Sequence, residues 1–443
     1  MMKKIAALFL ALVLVICLIP SLGLTITGPS QAGANEVLSP LPALVTNGKL
    51  NGNYPAKLQD YVNDHFAFRQ ELITLWAKIN MGLFHSSVTD SVMAGDGDWL
   101  YYASTLDDYT GSAPMTEREL WCAGRALYLL QNYAEAQGGS FLFTVAPNKN
   151  SLYSEAMPPI SVLSEEKNAE RIYAVLDQLG VHYLDLRSLF REQDETLYFH
   201  TDSHWNGRGA ALACDGILEA LGRKSDYFLG EFTAAAHRGD LYEMLYPAGK
   251  DLEADYAYAP GFGYTVTSRS DDPDSITLTT QSDRDGTLLC YRDSFGRNLF
   301  PYLADSFGEC TFSRKNDYSP AEIAEGTVMV VELVERNLRY LLDNTPTMPA
   351  PEATFVASNT VQGEAVIREE KCSLDGYRRY TGAWEGIVPQ AQDCVYVLTG
   401  TGAYEAFPTP EGFSLCLPDT EDLTNGGNYI IVGRCTVSIR TQE

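Results

Sequence analysis

The stretch "YFHTDSHWNGRGA", residues 198–210, gathers His200, Asp202, His204 and Trp205 into six positions of a chain with six histidines in all. In an extended segment, residues two apart point the same way, so Asp202 can lie beside His204. A carboxylate there would hold the imidazole in one tautomer and stabilise its charged form, as the base of a serine nucleophile requires. Asn206 can cap the following helix and fix His204 in place. Two other readings compete. His200, Asp202 and His204 could together face a metal, although no further ligand cluster with suitable spacing occurs elsewhere. The group could also be polar loop before a helix. The Asp–His pair ranks first, the loop second and the metal third.

Two more segments carry chemistry-bearing residues. In "LLCYRDSFGRNLF", Ser294 follows an apolar strand and opens a helix, between Asp293 and Gly296. A serine on such a turn is well presented, and the free N–H groups of a helix start can receive an oxyanion. An ordinary Asp/Ser helix cap would look the same. In "TVAPNKNSLYSEAMP", Asn148 and Lys149 follow another apolar strand and could donate toward the same crevice, or simply form a turn.

The elements that must position these residues alternate. Apolar runs such as "SFLFTVA", "GTLLCY" and "TVMVVEL" read as strands, separated by helical stretches such as "TERELWCAGRALYLLQNYAEAQG", with Thr116 as its N-cap. That pattern predicts an α/β fold with a mainly parallel sheet and helices on both faces, where sites form beyond the carboxyl ends of the strands. Upstream, "YPAKLQDYVNDHFAFRQELITLWAKINMGLF" reads as helical and "SVMAGDGDWLYYAS" as a strand pair turning at Asp96-Gly97. Helical periodicity ends near "DNTPTMPAPEAT", and short Val/Ile/Tyr/Thr runs between Gly, Pro, Asp and Asn clusters follow. A small all-β C-terminal domain is expected over 351–443, a main domain over 35–350 and a leader over 1–34.

That leader places Lys3 and Lys4 before fifteen uninterrupted apolar residues, 5–19, with the small-residue run Ala32-Gly33-Ala34 beyond. It reads as a secretory signal or an uncleaved anchor, and either exports the chain. No lipobox precedes Cys17. The other eight cysteines permit disulfides in an exported chain, or are buried thiols. A net charge of −26 argues against nucleic acid and against a peripheral grip on anionic lipid.

Taken together, "TDSHW" before a Gly/Ala-rich helix and "YRDSFG" about ninety residues later resemble the AlgJ/AlgX/DHHW group of SGNH-hydrolase-like proteins. So do "DHFAFR", "VMAGDGDWLYY", "PNKNSLYSEAMP" and "ELVERNL", in the expected order from about residue 55 to 345. The family tetrad is often Asp-His-His-Trp, and Ser203 occupies its second position here, as in the Asp-x-His-Trp of the alginate-acetylating members. The resemblance implies an SGNH-hydrolase-like sheet, with Ser294 as nucleophile, His204 as general base and Asp202 as its orienting carboxylate. Asn148, Lys149, Arg292 and Arg336 are the candidates for substrate or oxyanion contacts. It implies no metal and no cofactor. It further implies O-acetylation of an exported polysaccharide, with acetyl groups brought by a membrane-bound O-acyltransferase. A carbohydrate acetyl-esterase with the same residues, and a non-catalytic glycan-binding or assembly protein, are the alternatives. Tyr377, Tyr380, Trp384 and Tyr404 suggest a carbohydrate-binding role for the tail.

Overall fold

The computed structural model describes residues 2–32, 37–46, 48–320, 323–354, 361–424 and 427–441. Seven strands form the central sheet, in the order Tyr183–Asp185, Ser140–Ala146, Val328–Val334, Thr287–Tyr291, Glu309–Ser313, Thr277–Ser282, Tyr264–Val266. The first five pair in parallel and the last two antiparallel, so the sheet is mixed. The antiparallel edge comes from the irregular stretch between the helix after His204 and the strand before Ser294. Its short polar strands carry no clear alternation.

Strand side chains alternate between two apolar layers. Leu142, Leu288, Cys290 and Val330 face the helices Gly207–Ala220 and Gly296–Ser306. Phe141, Phe143, Met329 and Val331 face the helices Glu117–Ala136 and Asn168–Leu179. Burial on both sides explains why these strands read as continuous apolar runs. Thr116 caps its helix with a reciprocal bond pair to Glu119.

The upstream helical stretch is two helices, Tyr54–His65 and Arg69–Phe84. Phe66 is extended and Phe68 left-handed (φ 63°), which interrupts the helix and buries Ala67. Val92–Ala94 and Leu100–Tyr102 pair antiparallel. Met2–Thr27 is one helix, and from Ile5 to Thr27 it is long and apolar enough to cross a membrane. Gly33 and Ala34 of the processing run, and the 34/35 boundary, fall at 33–36, outside the described residues.

The C-terminal strands close into a seven-stranded barrel. Closure comes from a parallel pairing between Val361–Glu370 and Cys435–Thr441. The barrel sits directly on the helix Glu117–Ala136. Phe407 joins that helix's apolar layer, the Arg125 guanidinium meets Glu405 at 2.6 Å with both side chains nearly buried, and Arg118 donates to the Asp393 carbonyl at 2.6 Å. Pro349 and Glu352 bridge to barrel strands as the chain arrives. Cys372 and Cys416 bring their Sγ atoms to 3.8 Å, whereas Cys122, Cys214, Cys290 and Cys310 are buried thiols.

Candidate active site

Residues 197–206 fold back on themselves rather than running extended. Phe199 N–H donates to the His204 carbonyl and Asn206 N–H to the Leu197 carbonyl, and Tyr198 bridges to Trp205. The tip is a turn in which Asp202 Oδ1 accepts from His204 N–H at 2.9 Å. This Asx-type bond is what sets the carboxylate beside the ring. Trp205 is fully buried, edge-on to Phe295 and stacked near Phe190. Asn206 caps the next helix through Arg208 and Gly209 N–H. Gly209 is obligatory by space, because a Cβ there would lie 2.3 Å from the Leu197 carbonyl. The loop is thus locked to a helix start and to the core.

Ser294 lies beyond the carboxyl end of the strand Thr287–Tyr291. Asp293 fixes its turn: Oδ1 accepts from Phe295 N–H, and Oδ2 from Val334 N–H and the Asn337 amide. Asp293 therefore ties the serine turn to the neighbouring strand, and no side chain caps the helix Gly296–Ser306. Among the described residues the Ser294 N–H has no partner. Asn298 donates to the Trp205 carbonyl at 2.9 Å, joining the two loops.

Where the loops meet, His204 Nε2 stands 2.9 Å from Ser294 Oγ, and His204 Nδ1 stands 2.7 Å from Asp202 Oδ1. Asp202 can only accept when ionised, so Nδ1 carries the proton and Nε2 is free to take one. Sequence reading missed two neighbours. His237 Nε2 and Asp240 N–H both bond Asp202 Oδ2, at 2.8 and 2.9 Å. Asp240 in turn accepts from the Ser203 hydroxyl and N–H, and its carboxylate is 3.6 Å from His204 Nδ1. Gly239 lets this segment approach, since a Cβ would meet the Thr201 carbonyl at 2.1 Å. The only sequence signal was a third histidine two residues before "GD" in a segment with no periodicity.

Charge and burial oppose each other here. Burial pushes the Asp202 carboxyl up, yet the His204 and His237 imidazoles facing it hold it well below the usual range. Burial also disfavours a charged His204, but the Asp202 carboxylate outweighs it and raises the imidazole above its ordinary value. Asp240 is raised by burial and by Asp202. Ligand atoms of Asp202, His204 and Asp240 lie within 4.8 Å of one another, a spacing that could hold a metal ion. All four acceptor positions of Asp202 are already occupied by N–H donors, so an ion would have to displace them. His200 does not face this group. It bonds Asp98 at 2.9 Å and stacks on Trp99.

The other four candidates divide. Arg292 and Arg336 line a cleft of about 690 Å³ together with Ser294. The Arg292 guanidinium also donates to the Pro273 and Asp293 carbonyls, and Arg336 lies 5.5 Å from the Phe295 ring. Asn148 and Lys149 do not line that cleft. Asn148 is fully buried, bonding Asp108 and Glu335. Lys149 points its ammonium under the histidine loop and donates to the Phe199, His200 and Asp202 carbonyls at 3.2, 2.9 and 2.7 Å. Burial lowers its pKa to about 8. The Trp99 and Tyr101 rings lie 5.6 and 5.1 Å from the ammonium. Lys149→Met should therefore cost on the order of 3 kcal/mol, because three carbonyls lose a charged donor. A lower urea midpoint checks this, and an unchanged one would contradict the bracing role.

The SGNH hydrolase-like domain of the acetyltransferase AlgX matches residues 92–289, which include Asp202 and His204 and end before Ser294. A probable alginate O-acetylase AlgJ of Pseudomonas syringae pv. tomato is 23% identical over 209 residues, covering 44% of this chain and 51% of that protein. The chain thus spans about half the length of the curated relatives it matches. Among solved structures, Bacillus cereus PatB1 is similar over 56% of this chain and 98% of its own, at 18% identity and a TM-score of 0.42. The O-acetyltransferase domain of Pseudomonas putida AlgJ covers 56% of this chain and 92% of its own, at 16% identity and a TM-score of 0.39. Over residues 92–289 the chain is thus similar to the SGNH hydrolase-like domain of AlgX, and over about half of their length to AlgJ proteins.

Proposed function

We propose that this protein is an exported serine acyltransferase that O-acetylates a polysaccharide, through an acetyl-enzyme on Ser294. The observation that carries the reading is the unbroken bond chain Ser294–His204–Asp202 at the edge of a cleft at the sheet's carboxyl end. His204 Nε2 takes the Ser294 proton as Oγ attacks the acetyl carbonyl, and the imidazolium then returns that proton to the departing group. A sugar hydroxyl next gives its proton to His204 and attacks the acetyl-enzyme, releasing the ester and restoring Ser294. The Ser294 N–H, with Arg292 and Arg336 of the cleft, are the candidate donors for the oxyanion. The match to the AlgX domain and relatives named for alginate acetylation support a polysaccharide acceptor. A membrane-length N-terminal helix supports an extracytoplasmic site, with acetyl groups delivered by a membrane-bound O-acyltransferase. An acetyl-esterase would use the same residues with water as acceptor. Incubation with an acetyl-ester donor and a glycan separates the two readings: acetylated glycan is the expected product, and free acetate alone would favour the esterase.

The proton inventory gives a pH expectation. His204 must be neutral to act as base, so kcat/KM should rise with pH. Because Asp202 holds the imidazole up, the midpoint of that rise should lie above the ordinary histidine value of ~6.5. A profile of small-ester cleavage from pH 5 to 9 checks this, and a midpoint below 6.5 would contradict it.

A further inference from the structure

Exposed large apolar side chains are unevenly spread over the described residues. Outside the N-terminal helix, they concentrate between residues 37 and 84. The densest group is one face of the helix Arg69–Phe84. Leu72, Leu75, Trp76, Ile79 and Leu83 recur at helical spacing, and Trp76 is 59% exposed. The opposite face is committed. Ala77 and Met81 pack with Leu241 and Leu245, and Thr74 accepts from Ala248 N–H at 2.9 Å. A helix buried by its small residues and exposed by its large ones is inverted for life in water.

Three observations name what covers it. The helix Ile5–Thr27 is long enough to span a bilayer, and among the described residues its most apolar window is not buried by the rest of the chain. Its far end meets the start of the inverted helix: the Gly23 backbone lies against Ala67 and Phe68, and Ser30 N–H donates to the His65 carbonyl at 3.2 Å. The local charge also differs from the rest. Residues 37–84 hold four basic and three acidic side chains, against −26 for the whole chain, so repulsion from a lipid surface is absent where the helix would lie.

We propose that the helix Arg69–Phe84 lies flat in the surface of a lipid bilayer, its Leu72–Trp76–Ile79–Leu83 face in the acyl region. It rests beside the point where the N-terminal helix emerges. Its inner face holds the helix Asp240–Leu245, whose first residue is in the His204 cluster. The Ser294 cleft is thereby kept at a fixed height above the membrane. This inference does not depend on the chemistry at Ser294.

The test uses the full chain, N-terminal helix included, reconstituted without other proteins into phosphatidylcholine bilayers with brominated acyl chains. Bromine quenches indole only on close approach. A fraction of the tryptophan emission should be quenched, and Trp76→Phe should remove that fraction while leaving small-ester cleavage unchanged. Equal quenching in both chains would overturn the proposal, whether water, a second copy or another protein covers the face instead.

Discussion

Ser294→Ala should reduce turnover of a small acetyl ester by about 10⁴–10⁶-fold and abolish any acyl-enzyme. Among the described residues, the hydroxyl's one hydrogen bond runs to His204 Nε2, and no second hydroxyl stands in its place. His204→Ala should fall nearly as far, because an alcohol is a poor nucleophile until its proton is taken and residues that act as a unit are not additive. Ser306 supplies the control. It repeats the local "DSFG" sequence, but its hydroxyl donates to the Tyr302 carbonyl at the far end of the helix. Ser306→Ala should keep most activity. Wild-type turnover by Ser294→Ala would remove the assignment.

Asp202→Asn should cost about 10⁴-fold in kcat/KM with little change in fold. An amide at this position can donate as well as accept, so it no longer forces the proton onto His204 Nδ1. The imidazole can then present an N–H to Ser294 and cannot act as base. The loss extends to His237 and Asp240 N–H, which lean on the same carboxylate. The pH midpoint of the remaining activity should move down, because burial then acts on His204 without the opposing charge that raises it. Kinetics across pH, with circular dichroism to show a folded chain, reads both effects. A midpoint that stays in place would mean Asp240, not Asp202, governs the imidazole.

The parts of this site that could be read from sequence are those made by local rules. Asp202, His204 and Asn206 sit within five positions and signal a capped helix start, and Ser294 follows an apolar strand directly. The reason for the Asp–His contact was different from the one expected, since a turn rather than an extended segment sets it. Lys149 had the signature of a strand-end donor, yet burial under the histidine loop decides its partners. Nothing local could show that. His237 and Asp240 reach Asp202 through an approach at Gly239 between segments with no periodicity. In the fold, strands buried on both faces were legible as apolar runs. The antiparallel edge Thr277–Ser282 and Tyr264–Val266, and the closure of the C-terminal strands into a barrel, depend on long-range pairing that side-chain pattern does not encode.

The central claim is that an acetyl group resides on Ser294 during the reaction. Brief exposure of the protein to an acetyl-ester donor, acid quench and peptide mass spectrometry test it most directly. One acetyl group should appear on the peptide containing "YRDSFGR", localised to Ser294 and absent from Ser294→Ala. An acetyl group on Ser203, Ser306 or any lysine instead, with turnover intact and Ser294 unmodified, would contradict the account.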